Sequence, residues 1–333
     1  MSGSAELGDG ASQQLGTATP GHLDDHVQIF APQTWGLPLR SGAMAEAHRD
    51  SFVAGQYFAG VAGMAAMRSI LSRPSEGRPR MDEIREVVRT WDEFPNNIEI
   101  EVVEHDVDSG YTAWAPNYDG PNPALETEQP VVHEMLMGLE RGRALDAGCG
   151  TGRHAGFLAS EGFDVVGVDA TEAMLAVARD KHPDVEFRQG RFESLPIEDE
   201  SVDLVTSALA VCHAPDLVPV FAEFARVLRP GGTAIVSDPH PTTVQFGGVA
   251  GFRDQGADPT AGFTLPFVPN LHHPLHTYVN AAVAAGFEIE ECQEPVFPES
   301  GLEANPAYAI LPEAVKQAFG GLPFIVIWRL RKR

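Results

Sequence analysis

Residues 145–152 read LDAGCGTG, with Gly148, Gly150 and Gly152 at every second position from the end of the short run RALDAG (143–148). The spacing excludes two common phosphate loops. A triphosphate loop ends in Gly-Lys-Ser/Thr, whereas this one ends Gly152-Arg153-His154. A dinucleotide fingerprint needs GxGxxG, and the position that would need its third glycine is Arg153. Asp146 sits in the strand end before the first glycine. A helix follows, GRHAGFLASEG, closed by Gly162, and the next strand, DVVGVD, ends in Asp169.

Each part of this layout suits a different piece of a ligand. Glycines let the backbone approach it closely. The helix start offers free N–H groups to a carboxylate. Asp169, at the carboxyl end of a strand, can accept hydrogen bonds from both hydroxyls of a ribose. The ligand implied has a nucleoside at one end, an amino acid at the other and no pyrophosphate. S-adenosylmethionine has those parts.

Outward from the loop the chain alternates. PVVHEMLMGL is a helix before it. TEAMLAVARDK reads as a helix, VEFRQG as a strand, SVDLVTSALAV as a buried strand, DLVPVFAEFARVL as a helix stopped by RPGG, and TAIVSDP as a strand. Such alternation means a parallel sheet with helices on both faces. HTYVNAAVAAGF is a further helix. FEIEECQEPVF and LPFIVIWRLRK then read as two strands that end the chain as an antiparallel addition at one sheet edge.

Residues from about Tyr111 to Pro241 resemble the class I S-adenosylmethionine-dependent methyltransferases. The carrying motifs are LDAGCGTG (145–152), VVGVDAT (165–171), LPIEDESVDLV (195–205) and ARVLRPGG (225–232). The resemblance implies a Rossmann-like α/β fold with seven strands, ordered 3-2-1-4-5-7-6, strand 7 antiparallel. It implies that Gly148, Gly150 and Gly152 line the methionine portion of the cofactor, with Asp146 near its amino group. Asp169 would hold the ribose diol, Ala170 and Met174 would lie against ribose and adenine, and Leu209 after the fourth strand would belong to the same set. After the third strand the family usually has Gly-Asp, whose acid meets the adenine. This chain has Gly190-Arg191-Phe192, so backbone groups of Arg191 and Phe192, or the Glu193 side chain, would replace that contact. YTAWAPNYD (111–119) looks like the helix that folds over the cofactor, with Tyr111, Trp114 and Tyr118 as its cover.

The cofactor's sulfonium is already electrophilic. The protein need only align the acceptor, exclude water and take up a proton where the acceptor carries one, so a general base is optional. His213, in LAVCHAPD, and His240, in SDPHP, both follow strand ends and are the candidate catalytic bases; the plain alternative for each is a loop histidine with a structural partner. His272, His273 and His276 cluster in NLHHPLHTY, but the spacing fits no zinc pattern and no metal is expected. Residues from about 239 to 275 are too long and glycine-rich for a simple crossover and read as a lid. Its Phe246, Phe252, Phe263 and Phe267 either wall an acceptor pocket or form a satellite core. Cys149 in the glycine loop reads as a small apolar filler.

The remaining expectations come from composition. Forty-seven acidic against 23 basic residues give a net charge of −24, which argues against nucleic acid as a partner. The three cysteines form no CxxC pair, which suits a reducing cytoplasm. The first 25 residues lack the charged and apolar regions of a signal peptide and read as a disordered tail. Ser51–Met67 carries no charge, yet its glycines, Gln56 and Tyr57 make it a buried helix rather than a membrane span. It lies in a helical segment from about Ala43 to Leu71, which a loop at SRPSEGRP separates from a second helix with Met81, Ile84, Val87, Val88 and Trp91 on one face. Both belong to a mainly helical extension over 26–107, expected to serve as a homodimer interface, an acceptor-site cover or both, ahead of a cofactor-binding domain over 108–333. The expected activity is methyl transfer to oxygen or nitrogen of a small organic acceptor, such as a natural-product intermediate. A cofactor-bound rearrangement or cyclisation, a C-methyltransferase, and a non-catalytic binding subunit stay open, because these motifs bind cofactor and do not read chemistry.

Overall fold

The computed structural model describes residues 48–252 and 263–333. The tail expected over 1–25, residues 26–47 of the extension and residues 253–262 of the lid lie outside them.

In chain order, the described residues begin with β1 (His48–Val53), α1 (Ala54–Ser69), α2 (Pro74–Arg89), β2 (Glu99–Glu104), α3 (Val107–Trp114) and α4 (Pro123–Met137). The alternating segment is β3 (Arg143–Ala147), α5 (Arg153–Ser160), β4 (Asp164–Asp169), α6 (Glu172–Lys181), β5 (Glu186–Gln189), β6 (Val202–Ala208), α7 (Leu217–Val227) and β7 (Leu228–Pro239). It is followed by α8 (Pro241–Gln245), β8 (Ala250–Gly251), β9 (Phe263–Val268), α9 (Leu275–Ala284), β10 (Phe287–Gln293), α10 (Glu299–Glu303), α11 (Pro312–Phe319) and β11 (Ile325–Lys332).

The chain adopts the Rossmann-like α/β fold. Seven strands lie in the order β10-β11-β7-β6-β3-β4-β5, with β11 antiparallel to both neighbours and the others from β7 to β5 parallel. Counted within the sheet, this is 3-2-1-4-5-7-6. Apolar layers cover both faces. On one, Phe221 and Phe224 of α7 and Tyr278 of α9 pack on Leu145, Val205 and Val236. On the other, Leu136 of α4, Leu158 of α5 and Leu175 of α6 pack on Ala144, Leu204 and Ile235. Fully burying such side chains contributes about 1.5–3 kcal/mol each, so this sandwich fixes the strand ends where ligands of open α/β sheets lie.

The N-terminal part departs from the sequence reading in three ways. Of the helix expected over 43–71, residues 48–53 form strand β1 and the helix begins only at Ala54, because β1 pairs antiparallel with β2. The loop expected at SRPSEGRP is already α2 from Pro74, where the missing N–H of a first-turn proline is harmless. The buried side of α2 carries Gly77, Arg80 and Val87, while Met81 and Val88, placed on one helical face with Val87 by periodicity, face solvent. The apolar side of α1 is buried as expected, against α2 and α11, and Gly55 packs on Asn96 and Trp91. Gly60 and Gly63 face open space instead of a packed neighbour. No helix among the described residues is long and apolar enough to cross a membrane.

A second sheet, β1-β2-β9-β8, forms a cap that joins the expected extension to the expected lid. β2 runs parallel to β9, pairing Ile100 with Phe263 and Val102 with Leu265 across more than 150 residues of sequence. α3 packs beneath it, and Gly110 is the point of closest approach: a Cβ there would collide with Val268.

Candidate active site

A cavity of about 370 Å³ opens at the carboxyl ends of β3, β4 and β6, within the range of small-ligand sites. The glycine loop forms its floor. Gly148 (φ 72°) and Gly150 (φ 53°) take up left-handed backbone that other residues adopt at a cost. A Cβ at Gly148 would lie 2.6 Å from Ala210 and 3.0 Å from Phe192, whereas one at Gly150 would meet only Tyr118, at 4.0 Å, and would project into the cavity. Gly152 is left-handed too, but it packs against His182 and Phe187 and shapes the start of α5 without lining the cavity.

Asp169 forms the side wall with Ala170, Thr171 and Met174. Its carboxylate accepts the Gly150 and Thr171 N–H groups, both at 2.8 Å, so it is locked toward the loop while lone pairs remain for a ligand. Burial raises its pKa, and the two N–H bonds partly offset this. Asp146 does not reach the cavity. It is buried, accepts the Ala155 N–H at 2.9 Å and the Thr206 hydroxyl at 3.1 Å, and ties β3 to α5 and β6. Cys149 is buried, and burial pushes its thiol well up, which removes it as a nucleophile.

The opposite wall follows β5 and β6. Phe192, Arg191 and Glu193 line it, with Leu209 and Ala210 after β6. Leu209 is one of two non-glycine residues with left-handed backbone among the described residues (φ 55°), held by its N–H on the Ser237 carbonyl at 2.7 Å. Strain of this kind gathers at functional sites. Arg191, standing where the family has an acid, turns to Asp108 on α3 at 2.8 Å. The side chain therefore links the loop after β5 to α3.

The roof is α3 and the turn after it. Tyr111 stacks on Trp114, and Trp114 on Phe252 of the expected lid, with centroids 5.7 and 5.3 Å apart. Tyr118 lines the cavity above Gly150. Asp119 beside it fastens the turn to the loop, accepting the Thr151 hydroxyl at 2.8 Å and pairing with Lys181. Phe252 thus sits in a small apolar cluster under the cap, whereas Phe246 and Phe263 are exposed.

His213 completes the roof. Its Nδ1 faces the Pro269 carbonyl at 3.1 Å and its Nε2 the Tyr111 hydroxyl at 2.7 Å. A carbonyl only accepts, so Nδ1 carries the proton. Burial lowers the His213 pKa to about 4, so the ring is neutral near pH 7 and Nε2 accepts the Tyr111 proton. Burial also pushes the Tyr111 hydroxyl well up, and that of Tyr118 to about 12. The other candidate base, His240, is not brought to this cavity. Its Nδ1 accepts the Thr242 N–H at 3.1 Å, capping α8, and its Nε2 meets Glu294 at 2.8 Å. The three lid histidines diverge: His273 is buried on the Ala214 carbonyl, while His272 and His276 are exposed.

Sequence reasoning missed Glu128. It is fully buried on α4 and accepts from Arg153 at 2.8 Å, His154 at 3.1 Å and Ser237 at 3.0 Å. Burial opposes its charge, but His154 and Arg153 outweigh it and hold the carboxyl down at about 2. This anchors Arg153, the residue after the glycine loop. Nothing in LETEQP (125–130) marks that glutamate from its neighbours.

Glycine floor, fixed carboxylate and aromatic roof suit a nucleoside cofactor in an enzyme of the Rossmann-like class. The comparisons agree. The methyltransferase domain family matches residues 145–236. An S-adenosylmethionine-dependent methyltransferase of Mycolicibacterium smegmatis is 34% identical over 198 residues, 58% of this chain and 72% of that protein. The demethylmenaquinone methyltransferase of Chlorobaculum tepidum is 38% identical over 109 residues, 32% of this chain and 45% of its own length. The solved complex of the Haloferax volcanii Trm112 methyltransferase activator with a methyltransferase has the same fold (TM-score 0.52, 23% identity, 68% of this chain and 97% of that one). The chain belongs to the S-adenosylmethionine-dependent methyltransferases. Its residues fit that cofactor: a Cβ-free cradle at Gly150, a fixed carboxylate at Asp169 and an apolar wall at Met174 and Phe192.

Proposed function

We propose that this methyltransferase acts on a neutral O–H or N–H group of a small organic acceptor, and that Tyr111 and His213 take up the proton released. The carrying observation is the 2.7 Å hydrogen bond between the Tyr111 hydroxyl and a neutral His213 on the cavity wall. S-adenosylmethionine, when bound, supplies a methyl group on an electrophilic sulfonium. Gly148 and Gly150 would hold its methionine part, Asp169 its ribose, and Ala170, Met174 and Phe192 its adenine. Tyr118 and Asp119 would close the roof and exclude water. Tyr111 would take the acceptor proton on Oη as its own proton passes to His213 Nε2, and the Pro269 carbonyl would steady the resulting imidazolium through Nδ1–H.

No cation stands free at this end of the cavity among the groups named, since Arg191 is paired with Asp108 and Arg153 with Glu128. That favours an uncharged reacting group over a phosphate or carboxylate. The cap sheet would complete the acceptor pocket, and the open face of α1 at Gly60 and Gly63 would suit a second copy of the chain. The test is an acceptor screen read by product mass, with Tyr111→Phe and His213→Gln alongside. Gain of one methyl with slowed variants supports the reading. Gain of a methyl at carbon, or unslowed variants, overturns it.

A further inference from the structure

Beneath the site lies a carboxyl group that the proposed relay does not touch. Asp238, at the end of β7, is 0% exposed. One oxygen accepts the Cys212 N–H at 3.1 Å, and the other accepts the hydroxyl of Tyr278 from α9 at 2.8 Å. Cys212 is the middle residue of the single turn Val211–His213. Residues 269–273, which lead from the cap to α9, grip the same turn. The Leu271 N–H donates to the Cys212 carbonyl at 2.9 Å, and the Cys212 thiol reaches Asn270 Oδ1 at 3.6 Å. His213 Nδ1–H donates to Pro269 at 3.1 Å, and His273 Nε2–H to the Ala214 carbonyl at 2.9 Å. Of these partners, Asp238 alone stands on the central sheet.

We propose that Asp238 is a positioning residue of the reaction: from β7 it fixes the 211–213 turn and, through it, the orientation and tautomer of His213 toward Tyr111. The proposal rests on the reading that this pair takes up the acceptor's proton. An asparagine would satisfy both partners without the cost of burying a charge: its oxygen would accept the Cys212 N–H and its amide would donate to Tyr278. What the carboxyl adds is ionisation. A charged acceptor makes a shorter, stronger bond to the Cys212 N–H than a neutral one, so the ionised carboxyl holds the turn more firmly. Burial, partly offset by Tyr278 and Cys212, pushes this carboxyl up to about 7, which places the change in the neutral range. The titratable groups facing it are Tyr278 on α9, Cys212 on the turn and Tyr111 on α3, none of them a cation. From β11 its partner in register is Val326.

The test needs no acceptor. The full chain, labelled with ¹⁵N, is followed by amide and imidazole NMR between about pH 5.5 and 8.5, with His213 assigned by its loss in His213→Gln. The wild type is expected to show one His213 tautomer, protonated at Nδ1, and a Cys212 amide proton that moves downfield with a midpoint near neutrality. Asp238→Asn should keep the tautomer and lose the midpoint. Asp238→Ala should lose the single tautomer. An unchanged His213 spectrum in Asp238→Ala, or a Cys212 titration that survives in Asp238→Asn, overturns the proposal; the asparagine variant decides alone if the alanine variant does not fold. Failure of the relay reading would look different: His213→Gln would transfer methyl groups at the wild-type rate while these spectra still responded to Asp238.

Discussion

Two alanine substitutions two residues apart in sequence should damage this protein in different ways. In Gly148→Ala the new Cβ would lie 2.6 Å from Ala210 and 3.0 Å from Phe192, where ordinary carbon contacts fall at about 3.5–4.0 Å. Left-handed backbone at φ 72° adds about 1–2 kcal/mol for an L-residue. Overpacking adds about 1–3 kcal/mol. The sum, roughly 2–5 kcal/mol, corresponds to a Tm loss of about 3–7 °C for a chain of this size. In Gly150→Ala the backbone cost is similar, but the nearest atom is Tyr118 at 4.0 Å, so the overpacking contribution is missing. The methyl enters the cavity instead. Thermal unfolding and calorimetric titration with S-adenosylhomocysteine separate the two effects. Gly148→Ala should show the larger Tm loss, and Gly150→Ala an affinity loss of at least about tenfold, about 1.4 kcal/mol, for a small Tm change. A Gly150→Ala protein that binds like the wild type, or a Gly148→Ala protein with an unshifted Tm, would refute the assigned geometry.

Other outcomes follow from individual side chains. Tyr111→Phe leaves buried His213 Nε2 without its donor, so stability should fall by about 1–3 kcal/mol and transfer to an identified acceptor should slow about 100-fold or more; an unslowed rate removes Tyr111 from the relay. The raised Asp238 carboxyl contributes stability that is full below its unfolded value near 3.9 and is lost as pH rises through about 7. Urea unfolding of wild type against Asp238→Asn should therefore show the difference moving in favour of the variant by up to roughly 4 kcal/mol between about pH 4 and 8, and a flat difference would contradict this. His213 works in the opposite sense. Its lowered pKa, about 4, gives stability that is present above about 6.5 and lost as pH falls through 4, so His213→Gln should remove an acid-side loss measured in the same titrations. Arg191→Gln frees one end of α3, but the Arg191–Asp108 pair is more than half exposed and such pairs contribute about 0–1 kcal/mol. S-adenosylhomocysteine should leave at most about fivefold faster, with the difference vanishing in high salt; a difference that persists in salt would mean Arg191 holds the ligand directly.

The features legible in the sequence are those written locally. The glycine loop, the β4 end at Asp169 and the alternation from β3 to β7 each depend on residues within one turn or strand of each other. The pairing of β2 with β9 does not, since neither strand's pattern names its partner across the intervening chain. The same holds for α11, whose Ala314, Val315 and Ala318 close the core on α1. Met81 and Val88 were misplaced because period alone gives a face, while the neighbour that covers it is set by distant contacts. His240 shows the matching limit within the site. A histidine after a strand end looks catalytic in sequence, and only the folded chain reveals Thr242 and Glu294 occupying its two nitrogens.

The cofactor assignment is tested most directly by titrating the wild type and Asp169→Ala with S-adenosylmethionine and S-adenosylhomocysteine in a calorimeter. The Asp169 carboxylate, fixed by the Gly150 and Thr171 N–H groups at 2.8 Å, is assigned to the ribose. Micromolar binding by the wild type, weakened at least about tenfold in a variant that still unfolds cooperatively, is the expected result. Equal affinity in the two proteins, or no binding by the wild type, would contradict it.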